Sequence, residues 1–136
     1  LRVMLAGHPD LFCPPELHLL PFNDLASREA ELAGSYLDEG LQRAIMELMG
    51  QDAADSAAML AEWHDENLTT PQVYGRLQSL AGSRLLVDKS PSYALDVEVL
   101  RRAEQQFEDA LYIHLVRHPY AVVASFTKNR MDRLHH

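Results

Sequence analysis

The stretch ALYIHLVRHPYAVVASF, residues 110–126, decides which fold class the sequence favours. Its first part, residues 110–116, is almost continuously apolar, a pattern typical of a strand covered on both faces. Pro119 then suits the first turn of a helix, which the sequence predicts to run to about Arg130. A buried strand that leads directly into a helix is characteristic of α/β proteins.

Two further strands are predicted upstream of this stretch. Residues 84–87 (RLLV) form a short apolar run, and beyond the turn at 90–93 residues 95–107 have the pattern of a helix. The order strand, helix, strand, helix implies a parallel βαβ unit. A very short strand is also predicted at 11–13, where two prolines stop it. We therefore expect an α/β fold that is rich in helices and has few, short strands.

Helical periodicity dominates the region between the first two predicted strands. The predicted helices there cover residues 24–33, 37–49, 53–63 and 70–81. For the last of these, Thr70 is the predicted cap and Pro71 the first helical residue.

The charge of the chain is concentrated in its middle. The 136 residues hold 12 Lys+Arg against 20 Asp+Glu, which gives a net charge of −8. Residues 24–66 carry eleven acidic and two basic side chains, whereas residues 67–136 carry nine basic and seven acidic ones. Either a solvated helical face or an acidic lid over a site would explain the acidic block. The net charge argues against a nucleic-acid binder, which needs a basic face.

Cysteine and histidine content exclude several classes of site. The single cysteine, Cys13, excludes an internal disulfide and a multi-cysteine zinc site, so we expect a reducing, cytoplasmic environment. Cys13 has no neighbouring base and is expected in the core. The seven histidines form no recognised ligand cluster, so we expect no metal site. No apolar run approaches the about 18 residues that span a bilayer, so we expect no membrane partner.

Polar residues follow each predicted strand at the point where a turn is required. They lie at residues 14–18, 88–91 and 117–119. Ligands of open α/β sheets bind beyond the carboxyl ends of the strands, so these three loops are the predicted site.

Arg117 and Ser125 are candidates for binding a phosphate group. Arg117 ends a predicted strand beside a helix N-terminus, where unpaired N–H groups favour anions. Ser125 lies two turns into that helix and can present its hydroxyl to the same anion. The alternative is that Arg117 pairs with a surface carboxylate and Ser125 faces polar solvent.

Lys89 and Glu16 are candidates for chemistry at the same edge of the sheet. Lys89, one of only two lysines, follows a strand and either stabilises charge on a transferred group or is an exposed loop lysine. Glu16 is either a part-buried general base near that charge or a glutamate that faces solvent.

Three segments together resemble the sulfotransferases that use 3′-phosphoadenosine-5′-phosphosulfate (PAPS). Residues 1–5, 8–10 and 13–16 are similar to the region after the family's phosphosulfate loop. Residues 87–93 (VDKSPSY) resemble its Lys-Ser-Pro segment. Arg117 and Ser125 match its 3′-phosphate motif of an arginine, seven residues and a serine.

The resemblance implies a reaction and a role for each candidate. A sulfuryl group would pass from PAPS to a hydroxyl, leaving adenosine 3′,5′-bisphosphate, with no metal involved. Glu16 matches the position of the general base in protein-tyrosine sulfotransferases, and His18 is a second candidate for that role or for acceptor contact. Lys89 would assist at the transferring sulfuryl group, and Arg117 and Ser125 would hold the 3′-phosphate.

The resemblance extends to the sulfotransferase domains of bacterial, olefin-forming polyketide synthases. The segments RHPY at 117–120, NRMD at 129–132 and PELHLL at 15–20 carry it. It implies that the acceptor is the β-hydroxyl of an acyl chain bound to a carrier protein.

The resemblance also implies a domain organisation. It implies a P-loop-NTPase-like parallel sheet flanked by helices, present here as a partial domain, residues 1–136, without the N-terminal phosphosulfate loop. Residues 1–23 would follow that loop and carry the base, residues 24–82 would form a helical acceptor side or lid, and residues 83–136 would form a βαβα unit with the 3′-phosphate site.

Two other functions remain open from the sequence. A P-loop-like kinase or nucleotide-binding enzyme would share the parallel sheet, but it should show a Walker lysine and a magnesium carboxylate. A non-enzymatic interaction domain would use the acidic helical block as its binding surface, without giving a reason for Lys89 and Arg117 at successive strand ends.

Overall fold

The computed structural model describes residues 1–129, in which helices dominate and two short strands form a sheet. The elements follow in the order α1 Arg2–Leu5, β1 Leu11–Phe12, α2 Leu25–Leu32, α3 Glu39–Met49, α4 Ala53–Asp65, α5 Thr70–Ala81, β2 Leu85–Leu86, a 3₁₀ helix Pro91–Leu95, α6 Val97–Gln106 and α7 Pro119–Lys128. The predicted helix-rich α/β fold with few, short strands is confirmed.

The sheet consists of β1 and β2, which pair in parallel. Leu11 lies opposite Leu85, and Phe12 lies opposite Leu86. The backbone N–H of Leu85 donates to the Asp10 carbonyl at 2.8 Å, and that of Val87 donates to the Phe12 carbonyl at 2.8 Å. Because the strands are parallel, the loops that follow them leave the sheet at the same edge. Helices α2 to α5 form the connection between the two strands.

Local capping fixes the ends of the connecting helices. The Asp24 carboxylate accepts the Ser27 N–H at 2.8 Å and begins α2, and Gly50, with φ of 63°, ends α3. The cap of α5 is Thr69, one residue before the predicted Thr70. Its N–H donates to the Gln72 side chain at 2.8 Å, which satisfies a donor that the helix cannot use.

The core lies between the connecting helices and the sheet. Helix α3 packs on α4 and α5, and α5 packs on β2. Apolar side chains from β1, from the loop after it and from helices α2 to α5 belong to one cluster. Its fully buried members include Phe12, Leu17, Leu19, Leu25, Leu41, Ile45, Val73 and Leu77. Cys13 is buried as predicted, and burial raises the pKa of its thiol.

The strand predicted at residues 110–116 is wrong. The segment has no regular secondary structure, and its apolar side chains are exposed, Leu111 to 85% and Val116 to 75%. A strand is stabilised by the backbone of a neighbouring strand, and no strand within residues 1–129 pairs with this segment. The apolar pattern therefore indicates that the segment can be buried, but it does not show that a neighbouring strand is present to pair with it.

The region around it differs in smaller ways from the prediction. The turn predicted at 90–93 is the 3₁₀ helix, and α6 begins at Val97 rather than at residue 95. Asp96 sets this start, because its carboxylate accepts the Glu98 N–H at 2.9 Å. Helix α7 begins at Pro119 as predicted, whereas Arg130 and the rest of the predicted NRMD segment lie outside the described residues.

In the part of the chain that the structure describes, no helix has the length and apolar character needed to cross a membrane.

Candidate active site

Glu16 and Lys89 meet at the edge of the sheet where β1 and β2 both end. We call residues 14–22, which follow β1, the Glu16 loop, and residues 87–93, which follow β2, the Lys89 loop. The Lys89 ammonium donates to Oε1 of the Glu16 carboxylate. Both side chains remain about a third exposed, 38% for Lys89 and 36% for Glu16, so a ligand can reach either group. The parallel pairing of the two strands thus brings the Lys89 and Glu16 loops to one edge of the sheet, where a cation meets a carboxylate.

His18 lies beside Glu16. Its Nε2 is 3.4 Å from Glu16 Oε2, and its Nδ1 is 2.9 Å from the Ser92 hydroxyl. The side chain is only 6% exposed, and Nε2 is buried with no hydrogen-bond partner among the described residues. The backbone of His18 has a φ of 49°, in the left-handed region that His tolerates better than most residues. This geometry turns the ring towards Glu16 rather than towards solvent.

Helix α3 presses on the Glu16 loop at one point. A methyl group built on Gly40, in the first turn of α3, would lie 1.9 Å from the Glu16 carbonyl oxygen. Only a glycine allows the helix to approach the loop this closely. The carbonyl of the candidate base is therefore held at a fixed distance from α3.

A buried arginine, Arg28, joins the Glu16 loop to the residues that lead into α3. Arg28 of α2 is 1% exposed, and its Nε donates to the Leu17 carbonyl at 3.1 Å. Its Nη1 donates to the Asp38 carboxylate at 2.6 Å, and its Nη2 donates to the Asp38 carbonyl at 3.0 Å. A buried guanidinium needs a partner for each donor, so these bonds fix the Glu16 loop against the residues that lead into α3.

A cleft of about 250 Å³ opens between the Glu16 loop and α3. Its lining includes Glu16, His18 and Tyr36, and the charged side chains Arg2, Glu39 and Arg43. Arg43 donates to Glu39 at 2.5 Å within α3. The acidic block predicted from the sequence therefore contributes one carboxylate and one guanidinium to the wall of this cleft.

Arg117 and Ser125 lie in the part of the chain around α7. Arg117 is exposed just before the helix, and it has no ion pair or hydrogen bond with another residue of the range 1–129. Ser125 is half-buried, and its hydroxyl accepts from the Asn129 amide at 3.3 Å. The structure brings the first two predicted loops together, but within residues 1–129 no hydrogen bond or ion pair joins them to residues 117–119.

Within residues 1–129, no group of three or more His, Cys, Asp or Glu side chains is arranged to hold a metal ion.

Comparison with known proteins assigns the family. Residues 1–135 match the family described as "Sulfotransferase family". The chain belongs to the sulfotransferase family.

Two solved sulfotransferase domains have nearly the same structure. One is the sulfotransferase domain from the Synechococcus PCC 7002 olefin synthase, which is 53% identical and has a TM-score of 0.91. The match covers 96% of this chain and 48% of that domain's chain. The other is the sulfotransferase domain from the curacin biosynthetic pathway, 53% identical with a TM-score of 0.91, covering 98% of this chain and 47% of that one. The chain thus resembles sulfotransferase domains from an olefin synthase and from the curacin biosynthetic pathway, as the sequence predicts.

A curated relative is more distant. The nodulation protein NoeE of Sinorhizobium fredii (strain NBRC 101917 / NGR234) is 31% identical over 130 residues, 92% of this chain and 27% of that protein. This sulfotransferase chain thus spans about half of the two solved domains and about a quarter of NoeE.

The residues that join the two loops of this candidate site were not among those predicted from the sequence. The Asp88 carboxylate accepts from the Tyr74 hydroxyl at 2.5 Å and from the Tyr93 hydroxyl at 2.6 Å. Burial and the nearby Asp88 charge raise the pKa of Tyr74 well above its ordinary value, and they raise the pKa of Tyr93 in the same way. The available signal was a tyrosine on the apolar face of a helix, whose hydroxyl needs a polar partner when buried.

Proposed function

We propose that this chain takes part in moving a sulfuryl group from PAPS to a hydroxyl, the β-hydroxyl of an acyl chain on a carrier protein. The observation that carries the proposal is the Glu16–Lys89 pair at the carboxyl ends of two parallel strands, in a chain of the sulfotransferase family. Transfer to a hydroxyl needs a base for its proton and a cation for the charge of the leaving group, and the pair supplies both.

Glu16 acts as the general base. It takes the proton of the acceptor hydroxyl while that oxygen forms its bond to sulfur and the bond from sulfur to the 5′-phosphate oxygen breaks. Its carboxylate is accessible, it lines the cleft, and its backbone is held by α3 through Gly40. His18 lies beside it and also lines the cleft, with Nε2 buried, so in this proposal His18 orients Glu16 or contacts the acceptor.

Lys89 offsets negative charge on the sulfuryl oxygens and on the bridging oxygen as that bond breaks. In the structure its ammonium is paired with Glu16. The phosphosulfate oxygens of the donor are also anionic and compete for the same ammonium, which releases Oε1 of Glu16 to accept a proton. The Lys89–Glu16 ion pair therefore positions both side chains before the donor binds and separates when the donor's phosphosulfate binds Lys89.

Arg117 and Ser125 hold the 3′-phosphate of the donor. The exposed guanidinium of Arg117 stands before the N-terminus of α7, where the helix dipole also favours an anion. These groups fit a phosphate because their charge, hydrogen-bond donors and accessibility all suit it. PAPS supplies the sulfuryl group, whereas the residues of this chain bind, orient and remove the proton.

The acceptor is assigned from the neighbours and the cleft. The two similar structures come from an olefin synthase and from the curacin pathway, which supports an acyl chain carried by a synthase. The cleft beside Glu16 is walled by α3, within the helical region 24–82 that we assign to the acceptor side. Residues 1–23 then carry the base, and residues 83–136 carry Lys89 and the 3′-phosphate site of a P-loop-like domain that acts in the cytoplasm.

A transfer assay tests the proposal. The natural polypeptide that carries this chain is incubated with PAPS and a β-hydroxyacyl carrier protein, and intact-protein mass spectrometry detects a sulfuryl group on the acceptor. The matched control is the same carrier protein with an acyl chain that lacks the β-hydroxyl, which should gain nothing. Absence of transfer from PAPS to any hydroxyl acceptor would contradict the proposal, and phosphoryl transfer from ATP would favour the kinase alternative.

A further inference from the structure

The Asp88 carboxylate is the centre of a hydrogen-bond network with no assigned role. Its Oδ2 accepts from Tyr74 and Tyr93, and its Oδ1 accepts from the Ser90 hydroxyl at 2.9 Å. Tyr74 and Tyr93 are 6% and 9% exposed and Ser90 is 7% exposed, so the donors are almost completely shielded from water. Hydrogen bonds to a charged group in such a setting are the strong ones, and losing the acceptor leaves buried donors unpaired.

Two of these hydroxyls also accept backbone N–H groups of the Glu16 loop. The Ser90 hydroxyl accepts the N–H of His18 at 3.1 Å, and the Tyr93 hydroxyl accepts the N–H of Leu19 at 2.9 Å. A hydroxyl has one proton to donate, and in both Ser90 and Tyr93 that proton is donated in the hydrogen bond to Asp88. The lone pairs of both oxygens are therefore turned towards the Glu16 loop. Asp88 thus determines the orientation of two groups that hold consecutive residues of that loop.

The network also keeps Asp88 from pairing with Lys89, which pairs with Glu16 instead. Asp88 is the direct sequence neighbour of Lys89, yet among the described residues no ion pair joins the two. Three hydroxyl donors occupy the Asp88 carboxylate instead. The ammonium of Lys89 consequently pairs across the loops with Glu16 rather than locally.

We propose that Asp88 is a positioning residue that holds Glu16 opposite Lys89 by orienting Ser90 and Tyr93 towards the backbone of residues 18–19. The proposal rests on the proposed function, because its effect on turnover presupposes Glu16 and Lys89 as the reacting groups. Asp88 itself touches neither the donor nor the acceptor in this account. Misplacing a catalytic group by about 1 Å can cost about 10²-fold in rate, so a residue of this kind controls turnover from outside the reaction.

Amide hydrogen exchange tests the structural half of the proposal. In Asp88→Asn, one oxygen is replaced by an amide that cannot accept from a hydroxyl, so the amides of His18 and Leu19 should exchange at least about fivefold faster. Exchange in α3 and α4 should stay as in the unaltered protein. The matched control is Asp65→Asn, an exposed aspartate at the end of α4, which should leave every one of these amides unchanged. Unchanged exchange at residues 18–19 in Asp88→Asn would overturn the proposal.

Steady-state kinetics on the natural polypeptide test the catalytic half. We expect Asp88→Asn to lower kcat by about 10²-fold while KM for PAPS stays within about twofold, because the donor contacts are intact. A mainly structural role would instead lower the concentration of active enzyme, which active-site titration with donor measures separately. Loosened amides with an unchanged kcat would overturn the proposal.

A second variant covers the case in which Asp88→Asn does not fold. Tyr93→Phe removes only the hydroxyl that holds Leu19, and we expect it to loosen that amide and lower kcat in the same direction. If Tyr93→Phe changes neither measurement, the proposal is wrong. If the unaltered protein transfers no sulfuryl group from PAPS, the proposed function fails, whereas normal transfer by both variants overturns only the role of Asp88.

Discussion

Gly40 lies so close to Glu16 that a methyl group on its Cα would be 1.9 Å from the Glu16 carbonyl oxygen. The contact joins the first turn of α3 to the residue that we propose as the base. It is a backbone contact, so no flexible side chain can move aside to relieve a clash. The position of the carboxylate therefore depends on the absence of a side chain at residue 40.

Gly40→Ala should displace the Glu16 loop. The clash should cost about 1–3 kcal/mol of the free energy of unfolding, despite the higher helix propensity of alanine, and it should lower turnover. Chemical denaturation and the transfer assay measure the two effects. Gly75→Ala is the matched control, because a methyl there meets no atom within 4 Å, and it should stabilise α5 by about 0.5–1 kcal/mol. Equal stability of the two variants would contradict the close contact.

The free energy of unfolding should fall above pH 10. The pKa values of Tyr74 and Tyr93 are raised above 10.0 in the folded protein, mainly by burial and to a smaller extent by the Asp88 charge. Below pH 10 both phenols keep their protons in the folded and the unfolded chain. Above it the unfolded chain releases protons that the folded one retains, so stability decreases as the pH rises.

Denaturant titrations between about pH 8 and about pH 11 measure this decrease. Tyr93→Phe removes one of the two phenols and should therefore show a smaller loss of stability over that interval, relative to its own value at the lower pH. A loss as steep in Tyr93→Phe as in the unaltered protein would show that this phenol does not carry the effect.

Arg117→Ala should weaken binding of adenosine 3′,5′-bisphosphate. A charge-assisted hydrogen bond to phosphate is worth about 1.5–3 kcal/mol, so we expect the affinity to fall by about 10-fold to 10²-fold. Isothermal titration calorimetry on the natural polypeptide measures the change. Arg101→Ala, which removes an exposed arginine paired with Glu98 on α6, should leave the affinity unaltered. Equal affinities for the two variants would remove Arg117 from the 3′-phosphate site.

Much of the architecture followed from local signals in the sequence. Helix ends lie within a few residues of their predicted positions, because the caps Asp24, Gly50 and Asp52 act on the backbone next to them. The meeting of the Glu16 and Lys89 loops also followed, since loops after parallel strands leave one edge of the sheet.

Features that depend on contacts between residues far apart in the sequence were not predicted from it. The apolar pattern of residues 110–116 indicates a capacity for burial but does not supply the neighbouring strand that a ladder needs. Tyr74 reads as an ordinary core residue on α5, and its bond to Asp88 exists only because α5 packs on β2. Likewise, the fit of Gly40 against Glu16 depends on tertiary packing that no local pattern encodes.

Turnover and donor binding in Glu16→Gln test most directly whether Glu16 is the base. The amide fills the same volume but cannot take the acceptor proton, so kcat should fall by about 10²-fold to 10⁴-fold. Affinity for adenosine 3′,5′-bisphosphate should stay within about twofold, because Arg117 and Ser125 are unaltered, and Glu31→Gln, an exposed glutamate on α2, should behave as the unaltered protein. A Glu16→Gln variant that binds the donor normally and still transfers the sulfuryl group at the original rate would contradict the assignment of Glu16 as the base.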